Sequence, residues 1–594
     1  MSICKDDRSM IQRLTRTILP VGAMLCGWNV AAAQVDIAKP GVNPELASYQ
    51  AHLDKVSGLN RTGQKTYTAV GFGGNINFIR GKGGVILINT GSSTALSAQA
   101  LALFRKVSQD PIVAVIYTHG YSDHTGGIRA FVPEGREASV DIYANASWKG
   151  LATQTRSPMQ EEIVLRASAQ LGWYLPYGAE GAIGDALSRY SDRKLAGVGY
   201  LPPTREIHAP TSVEIAGVTL QLIPAPHDTD DGLIVWMPDE KILFAGDVLM
   251  PGRELPALQT PRFEPRRDPQ LWVDTMGLAA SFDAEHLVRA YSETIDGHNN
   301  VRQELLWQQR IGQYLIDHIY REILEGRPAD RIAAEFTLPD ALLEGRPYKE
   351  YYHRLSWIVR SIVSRHFGWY SGDVLDLVRL SPTDRAGRMA DAMGGIDAVL
   401  RRAGEAYADG DYRWALELAT TMLTIRPDDV TSRDIRVQSL RALAFASVSA
   451  NERNYLLTAV ALETGKLDRT ALLRAFRGKA PSDVALQRPP IQLINALGPR
   501  IRPVAPGAAA QPLSVRFTIT DRQAQEDITI QSGVMLRGLL PGKAQPDLVL
   551  TLSYDSLIRG IEGMTSFDEL KQAGKIESHG DLRDWNRFVS AFDF

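Results

Sequence analysis

The ten residues Thr118-His119-Gly120-Tyr121-Ser122-Asp123-His124-Thr125-Gly126-Gly127 decide the reading of this chain. They follow directly on Ile112-Val113-Ala114-Val115-Ile116-Tyr117, an apolar run rich in β-branched residues, of the kind that forms a buried strand. A tight loop at the end of such a strand aims several side chains at one point. Histidine brings a borderline nitrogen ligand and aspartate a hard oxygen, the mixture that zinc accepts. His119, Asp123 and His124 are therefore candidate ligands from the loop alone.

Working outward, Gly84-Val85-Ile86-Leu87-Ile88-Asn89-Thr90-Gly91 reads as a second buried strand ending in a turn. The runs 141–144, 218–223, 233–237 and 242–245 continue the series, with helical stretches such as 97–107 between them. Alternating strands and helices with polar residues at strand ends indicate a layered α/β domain with its site along the sheet edge. Three more candidates fit that placing. His227 lies in Pro226-His227-Asp228-Thr229-Asp230-Asp231-Gly232 between two strands, and Asp247 closes Phe244-Ala245-Gly246-Asp247. His298 stands in Asp296-Gly297-His298-Asn299-Asn300 before a long helix. One such residue alone is ordinarily a cap or a solvated group, but an ordered series at successive strand ends is not. After about Leu271 the β signal stops, and 301–325 and 351–465 read as amphipathic helix, with 405–419 a helical hairpin around Gly410-Asp411. Residues 503–512 read as a linker, followed by a small α+β region with strands at 513–520, 528–532 and 548–552.

The loop resembles that of the metallo-β-lactamase superfamily, His-x-His-x-Asp-His, followed by a His, a strand-end Asp and a final His. The resemblance implies one metal site at His119 and His227, and a second at Asp123, His124 and His298, with Asp247 between them. Tyr121 stands where the family has a histidine. A phenol of pKa about 10 ligates zinc well only if the metal strips its proton, so the first site is expected to be weakened, with one or two zinc ions in all. Bound zinc would lower the pKa of water, and Asp123 or Asp247 would orient that water and take its proton. Tyr121 completes the expected catalytic set.

The second half points to a branch. Glu350-Tyr351-Tyr352, Arg365-His366-Phe367-Gly368-Trp369-Tyr370-Ser371-Gly372, Met393-Gly394-Gly395 and Gly410-Asp411-Tyr412-Arg413-Trp414-Ala415 resemble the dimerisation domain of bacterial alkylsulfatases. Gly574-Lys575-Ile576-Glu577-Ser578-His579-Gly580-Asp581 resembles their sterol-carrier-like domain. The implied architecture is a metallo-β-lactamase αββα sandwich (34–340), an all-α dimerisation domain (341–480) and a small α+β sterol-carrier-like domain (481–594). The implied activity is zinc-dependent hydrolysis of alkyl sulfate esters by a homodimer, on a small amphiphilic substrate. Pro261-Arg262-Phe263-Glu264-Pro265-Arg266-Arg267-Asp268 resembles the segment whose first arginine binds sulfate, so Arg262 is expected to hold the anion as a planar fork, with Tyr370 walling the pocket. The catalytic half departs from that branch: glutamates are usual where His227 and Asp247 stand, and Ser292-Glu293-Thr294-Ile295 replaces a His-His-Trp-Pro stretch, which makes Glu293 a rival to His298. Two other readings stay open: a hydrolase of a lactam, lactone, thioester or phosphodiester bond, and a surfactant- or lipid-binding protein without turnover.

Composition bounds all of this. The chain has 594 residues, enough for three or four domains of about 150 each. Its 44% hydrophobic and 22% charged residues suit packed domains, and a net charge of −3 provides no field for nucleic acid or anionic membrane. Arg13 and Arg16 precede the apolar run 18–30, which ends in Ala31-Ala32-Ala33, the pattern of a signal peptide over 1–33. Both cysteines, Cys4 and Cys26, lie inside it, so the expected mature protein is periplasmic or secreted, free of disulfides, and has no membrane span.

Overall fold

The computed structural model describes residues 38–148, 160–190, 197–262, 266–472, 486, 488–504 and 511–593; the expected signal peptide lies outside them, as do Phe263 to Pro265 and most of the expected linker. Two sheets form the first half. The first has seven strands in chain order: Gly58–Arg61 (β1), Thr66–Val70 (β2), Ile76–Arg80 (β3), Val85–Ile88 (β4), Ile112–Ile116 (β5), Asp141–Asn145 (β6) and Arg205–Ile207 (β7). Pairing is antiparallel from β1 to β4 and parallel from β4 to β7. The second sheet has Thr211–Ile215 (β8), Val218–Pro224 (β9), Leu233–Met237 (β10), Ile242–Phe244 (β11), His286–Val288 (β12) and Ile295–Asp296 (β13), likewise in sequential order.

The side-chain period of two explains why β4 is apolar throughout. Ile86 and Ile88 face the second sheet, meeting Leu220, Val235 and Phe244 in the core between the sheets. Val85 and Leu87 face the other way, against Leu96, Ala100 and Phe104 of the helix Thr94–Phe104. The second sheet is covered by Pro269–Ala279 and the 27-residue helix His298–Leu324, through Trp272, Met276, Leu305 and Ile311. Helix, sheet, sheet, helix is the expected αββα order. One expectation is corrected here: β structure does not end near Leu271, since β12 and β13 complete the second sheet. At three and two residues they are too short to show a period.

The helical region follows, with Leu355–Phe367, Pro382–Ala392, Ile396–Ala408, Tyr412–Ile425, Val430–Ala446 and Ala450–Glu463. The expected hairpin is there: Gly410 takes φ +80°, and Asp411 caps the second helix by accepting from Trp414 N–H at 3.3 Å. Among the described residues, no helix is long and apolar enough to cross a membrane. The last region has a five-stranded sheet of Leu513–Ile519 (β14), Ala524–Gln531 (β15), Val534–Arg537 (β16), Leu548–Leu552 (β17) and Ile576–Gly580 (β18), ordered β16-β15-β14-β17-β18 and backed by Tyr554–Ile561 and Leu582–Ser590.

The helical region is locked onto the sandwich by buried polar groups. Arg453, fully buried, donates to the carbonyls of Gly41 and Gly181 at 2.8 Å and of Ala179 at 2.6 Å. Glu254, also fully buried, accepts from the backbone N–H groups of Tyr351 and Tyr352. Tyr351 in turn stacks on Tyr49 at 4.0 Å between ring centroids.

Candidate metal centre and family

The site is assembled where strands of both sheets end. β5 runs into Thr118 and His119, and the single helical turn Ser122–Thr125 then carries Asp123 and His124. His227 follows β9, and Asp247 follows β11. The ring orientations are set from behind. Thr118 Oγ1 lies 3.2 Å from His119 Nδ1, and Asn89 Nδ2 lies 3.2 Å from His124 Nδ1. Both imidazoles therefore turn Nε2 toward Asp247, whose Oδ2 is 3.3 Å from that of His119 and 3.4 Å from that of His124. Gly246 makes the turn possible: its φ is +57°, and a Cβ there would stand 2.9 Å from His227 Nε2.

His119, His124 and Asp247 are fully buried and hold their ligand atoms within 4.8 Å of one another. His119 Nε2, His227 Nε2 and Asp247 Oδ1 are buried without a hydrogen-bond partner. Such atoms are costly to leave unpaired. Donors around a tetrahedral ion stand roughly 3.3 Å apart, close to the 3.3 Å and 3.4 Å between Asp247 Oδ2 and the two Nε2 atoms, so the donor set suits a divalent cation. Burial alone would lower the His124 pKa, but Asp247 and Asp123 outweigh it and raise it to about 9. Burial pulls Asp247 upward, and His124 and His119 win, holding it well below the usual carboxylate range. His227, buried and facing His119, falls to about 3 and stays neutral, and its Nδ1 accepts the Asp228 N–H at 2.8 Å. Its ring centroid is 5.0 Å from that of His119.

Of the other sequence candidates, Tyr121 stands edge-on to His119 with centroids 5.0 Å apart, and Asp123 keeps a quarter-exposed side chain with Oδ2 3.9 Å from His124 Nε2. His298 is not brought to the cluster. It begins the long helix at the surface, with Nδ1 3.1 Å from Asp283. Its rival Glu293 is engaged by His52 at 3.1 Å and by Ser292. Tyr370 lies in an exposed apolar stretch, touching Trp369 and the Gly372 carbonyl rather than the cluster. Arg262 is half-buried, and its charge acts on Asp228, Tyr352 and His353, which puts it beside the loop that carries His227. Arg267 is spent structurally, in a buried pair with Asp228, and Arg266 pairs with Asp230 and Asp231.

The sequence reading missed Tyr291 and Asn89. Tyr291 follows β12, and its phenol donates to Asp123 Oδ2 and lies 3.4 Å from His124 Nε2. Burial first, then Asp123 and Asp247, raise its pKa well above the ordinary phenol value, so it remains a donor. Asn89, at the end of β4, accepts the Thr118 N–H at 3.0 Å besides meeting His124. The Asn-Thr-Gly turn was the available signal for Asn89; none marked Tyr291.

Residues 69–285 match the metallo-beta-lactamase superfamily, 329–465 the alkyl sulfatase dimerisation domain, and 478–594 the alkyl sulfatase C-terminal domain. A linear primary-alkylsulfatase of a Pseudomonas species is 32% identical over 531 residues, covering 86% of this chain and 97% of that protein. An (R)-specific secondary-alkylsulfatase of Pseudomonas is 24% identical, covering 95% of this chain and 86% of that one. The solved stereoselective inverting sec-alkylsulfatase Pisa1 of Pseudomonas shares the fold, with TM-score 0.80 at 24% identity over 93% of this chain and 87% of that one. Three consecutive domain matches and a relative aligned over nearly its whole length agree with the sandwich, helical region and terminal sheet described above: the chain is a hydrolase of the alkylsulfatase family, built on the metallo-β-lactamase fold.

Proposed function

We propose that this protein hydrolyses sulfate esters of alkyl chains with zinc as its metal, as an exported homodimer. The observation that carries the reading is the buried His119-His124-Asp247 cluster inside a chain that aligns with 97% of a linear primary-alkylsulfatase. When bound, a divalent cation at this cluster supplies Lewis acidity and makes water a nucleophile at neutral pH. The protein's own residues do the rest. Asp247, 3% exposed, sets a carboxylate oxygen against Nε2 of both rings and so completes the donor set. Asp123, 26% exposed, faces solvent and is the better placed of the two carboxylates to orient water and take its proton. Arg262 offers its fork to two sulfate oxygens from beside the His227 loop. The apolar side chains exposed between Phe367 and Val378, with Trp369 74% exposed, lie within the span matched by the dimerisation domain and suit burial against a second copy. Export is supported by the signal-peptide pattern of residues 1–33.

The test is sulfate release from decyl and dodecyl sulfate by the purified mature protein, with and without chelator. Release that chelator abolishes and added zinc restores is the expected result. His227 and Asp247 also suit other bonds, so lactam, lactone, thioester and phosphodiester substrates belong in the same panel. Turnover of one of these with no sulfate release by folded, zinc-loaded protein would sink the sulfatase reading.

A further inference from the structure

The loop after β12 is pinned so as to hold one side chain at the centre. Asn75, buried, donates from Nδ2 to the carbonyls of Arg289 at 3.0 Å and Ser292 at 2.7 Å, and its N–H donates to that of Ala290 at 2.6 Å. The Ala290 N–H in turn donates at 3.0 Å to Gly246, in the turn that carries Asp247. Ser292 takes φ +62°, a left-handed conformation that costs a serine energy and persists where the surroundings impose it. What these contacts fix is Tyr291, 4% exposed. Its hydroxyl donates to Asp123 Oδ2 and lies 3.4 Å from His124 Nε2, and those two atoms are 3.9 Å apart. A cation bonded to both at about 2.0–2.2 Å therefore comes within bonding reach of the phenol oxygen. Asp247 Oδ2 adds a further donor, 3.4 Å from the same His124 nitrogen. The residue expected in this place, His298, is turned out to Asp283, and its rival Glu293 is held by His52 and Ser292.

We propose that Tyr291 is a metal ligand, its phenol oxygen joining Asp123, His124 and Asp247 around a cation in the place expected of His298. A phenol ligates as the phenolate, so the cation displaces the phenol proton, which is released to solvent, and the hydrogen bond to Asp123 gives way to two metal–oxygen bonds. Asp123 keeps its second carboxylate oxygen for water. The inference rests on reading the cluster as a metal centre and does not depend on the substrate.

Iron(III) bound to a phenolate absorbs visible light by charge transfer from oxygen to metal, which gives the test a readout separate from activity. Metal-free full-length protein is loaded with iron(III) from its nitrilotriacetate complex, and bound iron is measured by elemental analysis. The band is expected in the native chain and in Tyr121→Phe, whose ring meets His119, and its loss is expected in Tyr291→Phe. Iron-loaded native protein without the band overturns the proposal, as does a band that survives Tyr291→Phe or disappears in Tyr121→Phe. Zinc affinity, read by competition with a chromophoric chelator, should fall by at least about tenfold in Tyr291→Phe and recover in Tyr291→His, which restores a ligand but not the band. A tyrosine that only packs against the centre would leave the histidine variant as weak as the phenylalanine one, and that result overturns the proposal. If the variants fail to fold, the native chain still decides. Zinc(II) added to the metal-free protein should produce the ultraviolet difference absorption of tyrosinate, and its absence overturns the proposal. Sulfate release from decyl sulfate by the zinc-loaded chain keeps the two readings apart. Release without the tyrosinate signals sinks the ligand assignment alone, and the signals without release sink the sulfatase reading alone.

Discussion

Asn89 shows how much of the centre depends on a residue outside the group of candidate ligands. It takes φ +62°, a left-handed conformation that asparagine tolerates better than most side chains, and this turns its amide onto Thr118 and His124 together. Asn89→Ala removes those bonds. Affinity for zinc should fall about 10–100-fold, the usual effect of losing a group that orients a ligand, and competition with a chromophoric chelator reads it. At this scale the sequence was informative where ligands share a short motif. His119, Asp123 and His124 lie within six residues of chain, and His227 and Asp247 end strands whose apolar runs are visible. It misled at His298, because a histidine opening a helix after a glycine looks the same whether the ring turns inward or, as here, out to Asp283. It was silent at Tyr291, since no local pattern announces a tyrosine that reaches residues 167 and 168 positions away.

Turns matter as much as strands. Gly246 closes the tight turn between β11 and Asp247 with φ +57°, its missing side chain leaving room for His227 and for Thr118, whose Cβ would lie 3.1 Å away. Gly246→Ala should lower unfolding free energy by about 1–3 kcal/mol in urea titration, from the strained backbone and the close contact together. It should also weaken zinc binding, because His227 is what the new methyl meets. The strands themselves were readable because β4, β5 and β10 carry uninterrupted apolar runs, which burial on both faces requires. β12 and β13 were not, for want of length, and with them went the element that delivers Tyr291. The helical hairpin was legible from a single Gly-Asp pair: glycine for the left-handed turn, aspartate for the cap.

Over the whole molecule the junction between sandwich and helices carries a pH dependence of its own. Burial raises the Glu254 pKa to about 8 from 4.5, more than the backbone N–H groups of Tyr351 and Tyr352 lower it. The folded state therefore binds a proton that the unfolded state has lost between those values. The contribution is full below pH 4.5 and is lost as pH rises through 8, with a slope of up to about 1.4 kcal/mol per pH unit. Chemical denaturation across pH 5 to 9 should show stability falling in the native chain and a flatter profile in Glu254→Gln. The same junction bears on how the chain can be cut. Arg453 is held by carbonyls at 41, 179 and 181, so a residue far along the chain completes the interior of the part that precedes it. Expressing the metallo-β-lactamase-like portion by itself would strip those carbonyls of their donor and uncover the surface they lie on. The boundaries of the matched domains thus run through one shared buried network rather than between separate interiors, and the sandwich expressed alone should be less stable than the full chain.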